Sequence, residues 1–227
     1  MPSKVVRVIM LSPPGAGKGT HGRWLTQQTG AIHISSGDLL RDEVASGSHL
    51  GQQLAGYTAR GDLVPDDLIF SILMPAVIAA ARETGGYVLD GFPRTMPQAL
   101  RAAQLGAELD LTCDAVVYLT APEDELVARL LDRGDRDGRD DDRLAVIRHR
   151  LAVFAGETAP LVDYYRSREI LLELSTDRPE AEVRADLRAW FEARGLMRSA
   201  DGKAPSRRLL SSPQQLSHSR PAEPQPG

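Results

Sequence analysis

Residues 5 to 20 read VVRVIMLSPPGAGKGT, and the join inside that stretch decides the fold. VVRVIML (5–11) is a short, apolar, β-branched run, which reads as a buried strand. SPPGAGKGT (12–20) follows it, where a strand hands over to a helix. Glycines at such a join let the backbone come close to phosphate oxygens. Successive N–H groups and the helix N-terminus then form a concave positive site. Lys18 adds a compact charge able to follow β- and γ-phosphates. The stretch departs from the strict G-x-x-x-x-G-K-[ST] pattern, with Ser12 at the first glycine and Gly19 between Lys18 and Thr20. Alone it indicates a nucleoside triphosphate and nothing finer. A glycine-rich turn with a surface lysine is the plain alternative, and the strand before the loop argues against it.

Composition narrows the setting. A chain of 227 residues suits one full-sized domain, and 42% apolar residues suffice for a core. A net charge of −4 argues against a dedicated nucleic-acid binder. Cys113 is the single cysteine, so one chain can build neither a disulfide nor a multi-cysteine metal site, which suits a reducing cytoplasm. MPSKVVRVIML is too short for a membrane span and lacks signal-peptide anatomy. Of the 27 lysines and arginines only Lys4, Lys18 and Lys203 are lysines, and asparagine is absent altogether. In so arginine-biased a chain, an interior lysine asks for an explanation.

The strand pattern recurs at AIHI (31–34), GYVLD (86–90), DAVVYLT (114–120) and EILLEL (169–174). Helical spacing lies between: residues 66–83 with Asp66 as expected cap, TAPE (120–123) as a capping box, and Leu126, Val127, Leu130 and Leu131 on one face. Leu144, Ile147, Leu151 and Phe154 mark a further amphipathic helix, and DRPEAEV (177–183) opens the last, which ends near Arg194-Gly195. Alternating strands and helices predict a doubly wound α/β domain, a parallel sheet of five strands with helices on both faces. Residues 199–227, rich in serine, proline and glutamine, are expected to be a disordered tail.

Further stretches carry chemistry. LDGFPRT (89–95) follows a strand: Asp90 can orient magnesium and its waters, and the turn presents Arg94 near the phosphate site. ISSGDLLR (34–41) sets small hydroxyls and a glycine before Arg41. DRGDRDGRDDDR (132–143) has four arginines, six aspartates, two glycines and no apolar side chain to bury, so by itself it reads as a solvated loop, and IRHRL (147–151) places Arg148 and Arg150 on a helix. Cys113, His21, His33 and His149 read as packing residues.

GAGKGT, SSGDLLR, LDGFPRT and ETAPLVDYY (157–165) together resemble the adenylate kinases among nucleoside monophosphate kinases, over about residues 5 to 195. The resemblance implies a P-loop core within residues 1–198, a helical monophosphate-binding insert at about 35–64 and a short lid at about 130–142. It implies reversible transfer of a phosphoryl group from MgATP to AMP, giving two ADP. Gly15, Ala16, Gly17, Lys18, Gly19 and Thr20 would hold the donor phosphates, with Arg129, Arg133 and Arg178 around the donor nucleotide. Ser36, Arg41, Asp62, Val64, Gly91, Arg94 and Gln98 would form the acceptor site. Arg139 and Arg150 would clamp phosphates as the lid closes, beside the acidic pair Asp141 and Asp142. Lys18, Arg94, Arg133, Arg139 and Arg150 are thus the candidate catalytic cations. Asp90 would act on magnesium through water, with no direct protein ligand to a metal. The cysteine-bearing lid insertion of some relatives is missing, so no structural zinc is expected, and a cytoplasmic monomer is the family default.

Two other readings stay open at this point. One keeps the chemistry and changes the acceptor to UMP, CMP or another nucleoside monophosphate. The other is a catalytically weak nucleotide-binding paralogue, prompted by Ser12, His21 and Arg143. A GTPase switch is excluded, because its N-K-x-D element needs an asparagine.

Overall fold

The computed structural model describes residues 5–138 and 140–197. Five parallel strands, β1 (Arg7–Leu11), β2 (Ile32–Ser35), β3 (Tyr87–Asp90), β4 (Ala115–Thr120) and β5 (Leu171–Ser175), lie in the order β2-β3-β1-β4-β5. Ile9 stands opposite Leu89 on one side and Val116 on the other. Side chains alternate across this sheet, so a single strand feeds two cores. Val8, Met10, Val88 and Val117 pack with α1 (Lys18–Thr29), α6 (Glu123–Asp137), α7 (Leu144–Val153) and α9 (Glu180–Ala193). Ile9, Leu11 and Val116 face α5 (Met96–Glu108) and α8 (Leu161–Arg166). Tyr87 and Leu89 complete that face with α2 (Ser36–Ala45), α3 (His49–Arg60) and α4 (Asp66–Thr84). Both faces are covered, which is why the strands are nearly unbroken apolar runs.

The doubly wound sheet read from the sequence is the fold observed, and α2 and α3 form the helical insert after β2. Several local expectations need correction. Pro65, not Asp66, caps α4, and Asp66 is the first helical residue. Thr120 ends β4 and Pro122 caps α6 without a side-chain bond, so TAPE is not a capping box. Leu131 and Leu144 are exposed, while Leu126, Leu130, Ile147 and Leu151 carry the buried stripe. Phe154 lies beyond α7 in a π-helical turn and stacks on Tyr118 at 6.4 Å. The charged run is not a loop throughout: α6 continues to Asp137, Gly138 ends it at φ 64°, and a 3-10 turn spans Asp140–Asp142. The tail expected over 199–227 lies outside the described residues. Among those described, no helix is long and apolar enough to cross a membrane.

The order places β2 and β3 on one side of β1, and β4 and β5 on the other. The connections therefore part at the carboxyl ends of the central strands, where open α/β sheets hold their ligands. The carboxyl end of β1 leads into the glycine loop and that of β3 into GFPRT. Phe191 anchors α9 beneath them at 0% exposure. Phe191→Ala is expected to cost about 3–5 kcal/mol by the cavity it leaves, read as a lower denaturant midpoint at unchanged slope.

Candidate active site

The turn after β1 is shaped by Gly15 and Gly17, at φ 87° and 82°. A Cβ on Gly15 would also fall 2.8 Å from the Leu126 carbonyl oxygen, so the loop lies directly against α6. Gly17 caps α1 without a side-chain bond, which leaves the first N–H groups of that helix for an anion. Ala16 is buried, its N–H donating to the Pro13 carbonyl at 3.4 Å, while Thr20 is exposed at the rim. Lys18 opens α1, and its Nζ donates to Ser12 Oγ at 2.9 Å, to Ser12 O at 3.1 Å and to Pro13 O at 3.3 Å. Burial lowers its pKa to about 8, with Arg94, Arg150 and Arg133 pushing the same way and Asp90 opposing.

Lys18, Gly19, Thr20, Asp90, Arg129, Arg133 and Arg178 line one cleft of about 590 Å³ together with Arg41, Arg94 and Arg150. A second cleft, of about 600 Å³, is lined by Asp62, Val64 and Asp141, and again by Arg41, Arg94 and Arg150. A small pocket beside it is bounded by Ser36, Asp62, Val64, Gly91, Arg94 and Gln98. Two spaces of nucleotide scale thus meet at three shared arginines.

Each arginine is held. Arg94 donates from Nε to the Gly91 carbonyl at 2.7 Å and from its backbone N–H to Gln98 Oε1 at 2.8 Å. Burial pulls its pKa below the usual arginine value. Arg133 forks onto Asp142 at 2.6 and 2.7 Å, and Arg150 reaches the same carboxylate at 2.9 Å and Asp141 at 2.9 Å. Burial alone would raise the Asp142 pKa; Arg133 and then Arg150 outweigh it and hold the carboxyl below its ordinary value. Arg129 pairs with Glu125 and donates to Thr176, tying α6 to the loop after β5. Arg178 is fixed by the Ser175 carbonyl and by Asp186. Arg41 pairs with Asp38 one turn back. Arg136 pairs with Asp132 and Asp137 on an exposed part of α6. Arg139 lies outside the described residues.

On the other side of the site, Gln98 Nε2 donates to Asp66 Oδ1 at 2.8 Å, leaving the amide one further donor and one acceptor. The Ser36 hydroxyl is buried with no hydrogen-bond partner among the described residues. A Cβ on Gly91, at φ 80°, would fall 2.5 Å from it. Asp62 accepts from Arg60 at 2.7 Å, and its other oxygen lies 2.8 Å from His149 Nε2; those bonds, Arg60 first, lower its pKa.

Sequence reasoning missed three supports. Thr158 donates to the Arg94 carbonyl at 2.8 Å, Asp66 aims Gln98, and His149 bridges α7 to the segment after α3. Thr158 sits inside ETAPLVDYY, but its partner is 64 residues away, a closeness no local pattern reports. Cys113, by contrast, is the packing residue expected: its thiol donates to the Ala115 carbonyl and burial pushes it up to about 12.

A family model described as adenylate kinase matches residues 10–170, well over half of the chain. The chain belongs to the adenylate kinase family. It is 44% identical over 167 residues to the adenylate kinase of Porphyromonas gingivalis, covering 74% of this chain and 86% of that one. To the adenylate kinase of Thermus thermophilus it is 42% identical over 182 residues, 80% of this chain and 95% of that one. The Parasynechococcus marenigrum adenylate kinase is 43% identical over 177 residues, 78% and 93% of the two chains. Adenylate kinases convert ATP and AMP to two ADP, and this chain is an enzyme of that kind. The family implies ATP used as its magnesium complex. Asp90 fits that requirement: one carboxylate at the end of β3, lining the same cleft as the glycine loop, would hold the waters of an ion that stays largely hydrated and takes its direct ligands from phosphates.

With the Lys18 pKa drawn down to about 8, the free enzyme loses this charge as pH rises through that value. The expected pH profile of kcat/KM for MgATP falls on its basic side near pH 8, whereas kcat, which reports the complex, falls later because bound phosphates favour the ammonium. A flat kcat/KM profile to pH 10 would contradict it. For Gly91→Ala, both the positive φ and the Ser36 contact predict a KM for AMP raised on the order of tenfold or more, measured at saturating MgATP.

Proposed function

We propose that donor and acceptor occupy the two clefts, with in-line transfer of the γ-phosphoryl group of MgATP to AMP where the clefts meet. The observation that carries this reading is the trio Arg41, Arg94 and Arg150, which lines both spaces. One polyanion on each side would share the same cations, and a group passing between them would never leave positive charge. Phosphoryl transfer asks little covalent help of a protein, only placement and charge cancellation.

The roles divide by position. Gly15, Ala16, Gly17, Gly19 and Thr20 receive the donor phosphates, the buried Ala16 through its backbone alone, and Lys18 follows the β- and γ-phosphates. Arg129 and Arg178 flank the donor base. Arg133, Arg150 and, by its match to the family, Arg139 neutralise the migrating group together with Arg94. Arg41 and Arg94 hold the acceptor phosphate, while Ser36, Asp62, Val64, Gly91 and Gln98 enclose its base. Magnesium arriving with ATP would supply further charge cancellation, and Asp90 would orient its waters.

Closure supplies the rest. The segment of about 35–64 is the acceptor-binding domain and about 130–142 the lid, both moving on the core of residues 1–198. Gly47, at φ 68°, and Gly61, at φ 75°, follow α2 and α3 and suit hinges. Closing over the joined clefts excludes water, which otherwise would receive the phosphoryl group. The enzyme works as a cytoplasmic monomer without structural zinc, and its partners are ATP, AMP and ADP rather than nucleic acid or membrane.

A coupled assay with MgATP as donor and AMP, dAMP, CMP, UMP and GMP as separate acceptors tests the pocket. Fast ADP formation with AMP is expected; a preference for CMP or UMP would overturn the reading of Ser36 and Gln98. Lys18→Ala and Arg94→Ala should each lower turnover roughly 10²–10³-fold, as removal of a transition-state charge partner does. Near-normal turnover in either variant removes that residue from the mechanism.

A further inference from the structure

Ser12 occupies the place where the strict loop pattern has its first glycine. Its backbone is not among the positive-φ positions, so nothing in the chain path demands glycine there. The side chain is buried at 6% exposure, and its hydroxyl makes two bonds. The single proton goes to the Pro13 carbonyl at 2.7 Å, which leaves the oxygen's lone pairs to accept from Lys18 Nζ at 2.9 Å. An ammonium has three N–H donors. Here three acceptors meet them, all from two consecutive loop residues: Ser12 Oγ, Ser12 O and Pro13 O. The hydroxyl gives the shortest of the three contacts, and it is the one a glycine at this position could not make.

We propose that Ser12 is a positioning residue that latches Lys18 back onto the loop, so that MgATP must draw the ammonium away from this hydroxyl and donor affinity is set by that exchange. The proposal rests on the reading of Lys18 as the donor-phosphate lysine. Three cations face Lys18 from separate parts of the fold: Arg94 in the turn after β3, Arg133 on α6 and Arg150 on α7. Among the described residues, Asp90 is the carboxylate that opposes them at Lys18. Repulsion from three guanidiniums favours a lysine folded down onto the loop base, and Ser12 supplies a fixed acceptor for it there. A phosphate reverses the balance, because it draws the arginines and the lysine toward one centre.

The test uses the full chain. Ser12→Ala removes only the hydroxyl, and KM for MgATP at pH 7 is expected to fall about threefold to tenfold, the scale of one hydrogen bond to a charged group partly replaced by water. The change should fall on KM rather than kcat. Ser12→Thr returns a hydroxyl and should bring KM back toward the parent value, and Ser12→Gly serves as second variant should the alanine protein fold poorly. A direct readout comes from lysine itself: with only Lys4, Lys18 and Lys203 in the chain, 13C-lysine labelling resolves Lys18, identified by its loss in Lys18→Arg. Its titration midpoint should move down in Ser12→Ala, because the hydroxyl favours the charged form. An unchanged midpoint with unchanged KM overturns the latch, and so does a raised KM, which would make Ser12 a support of the bound state. Lys18→Ala separates the two levels. If it is inactive while Ser12→Ala is silent, the latch fails and Lys18 keeps its role; if it turns over normally, the donor reading falls and the latch with it.

Discussion

A buried carboxylate between two guanidiniums holds this active site in readiness. Asp142 has no exposed side-chain surface, receives both arms of Arg133 and one of Arg150, and stands within the run that otherwise reads as solvated charge. Without it, Lys18, Arg94, Arg133 and Arg150 would face one another with the more distant charges of Asp90, Asp141 and Asp137 left to offset them. Like charges crowded into a half-buried site repel strongly, because the surroundings screen them less than water does. Asp142 ties two of the four to one carboxylate. A buried pair of this sort is a poor source of net stability, but removing one member strands the other. Its value here lies in keeping the cations in place.

The sheet makes that crowding possible. β1 and β3 lie side by side and end at the same level, with Met10 opposite Asp90, so the glycine loop and the GFPRT turn leave neighbouring strands together. Lys18 and Arg94 become neighbours although 76 positions separate them in the sequence. The helices then bring the remaining charges from above: α6 carries Arg129 and Arg133, and α7 carries Arg150. Their inner faces are pinned by Leu126, Leu130, Ile147 and Leu151 in the core that also holds Val8 and Met10. The burial that stabilises the domain therefore fixes the spacing of its cations.

Much of this was legible in the sequence, for identifiable reasons. The strands stood out because both faces of a parallel sheet are covered, so apolar runs mark them without ambiguity, and the glycine loop is a local device that declares itself in nine residues. Boundaries and supports were harder. The DRGDRDGRDDDR run looked structureless because nothing in it is apolar, yet α6 extends through its first half. Pairs four apart, Arg129 with Glu125 and Arg136 with Asp132, support a helix that hydrophobic periodicity cannot announce. TAPE satisfied a capping pattern, but pairing of Thr120 with Ser175 keeps the threonine in β4, and tertiary pairing overrode the local preference. Asp66 had the right chemistry for a cap and a different task, because α5 brings Gln98 to it across 32 residues.

The two kinds of cation in the site are not interchangeable, which explains why an arginine-biased chain places a lysine at position 18. Arg133 uses a planar fork to seize both oxygens of Asp142, and a fork of that shape can pass to a phosphate without losing its geometry. Lys18 has to fit inside the turn of the loop, where its three acceptors belong to Ser12 and Pro13. A flat guanidinium cannot point its donors at three atoms clustered on two adjacent residues, whereas a compact ammonium can. Lysine is also the cation whose proton is most readily shifted by burial, and here burial draws it to about 8. The arginines thus carry permanent charge around the cleft, and the loop holds the cation whose charge burial has brought within reach of neutral pH.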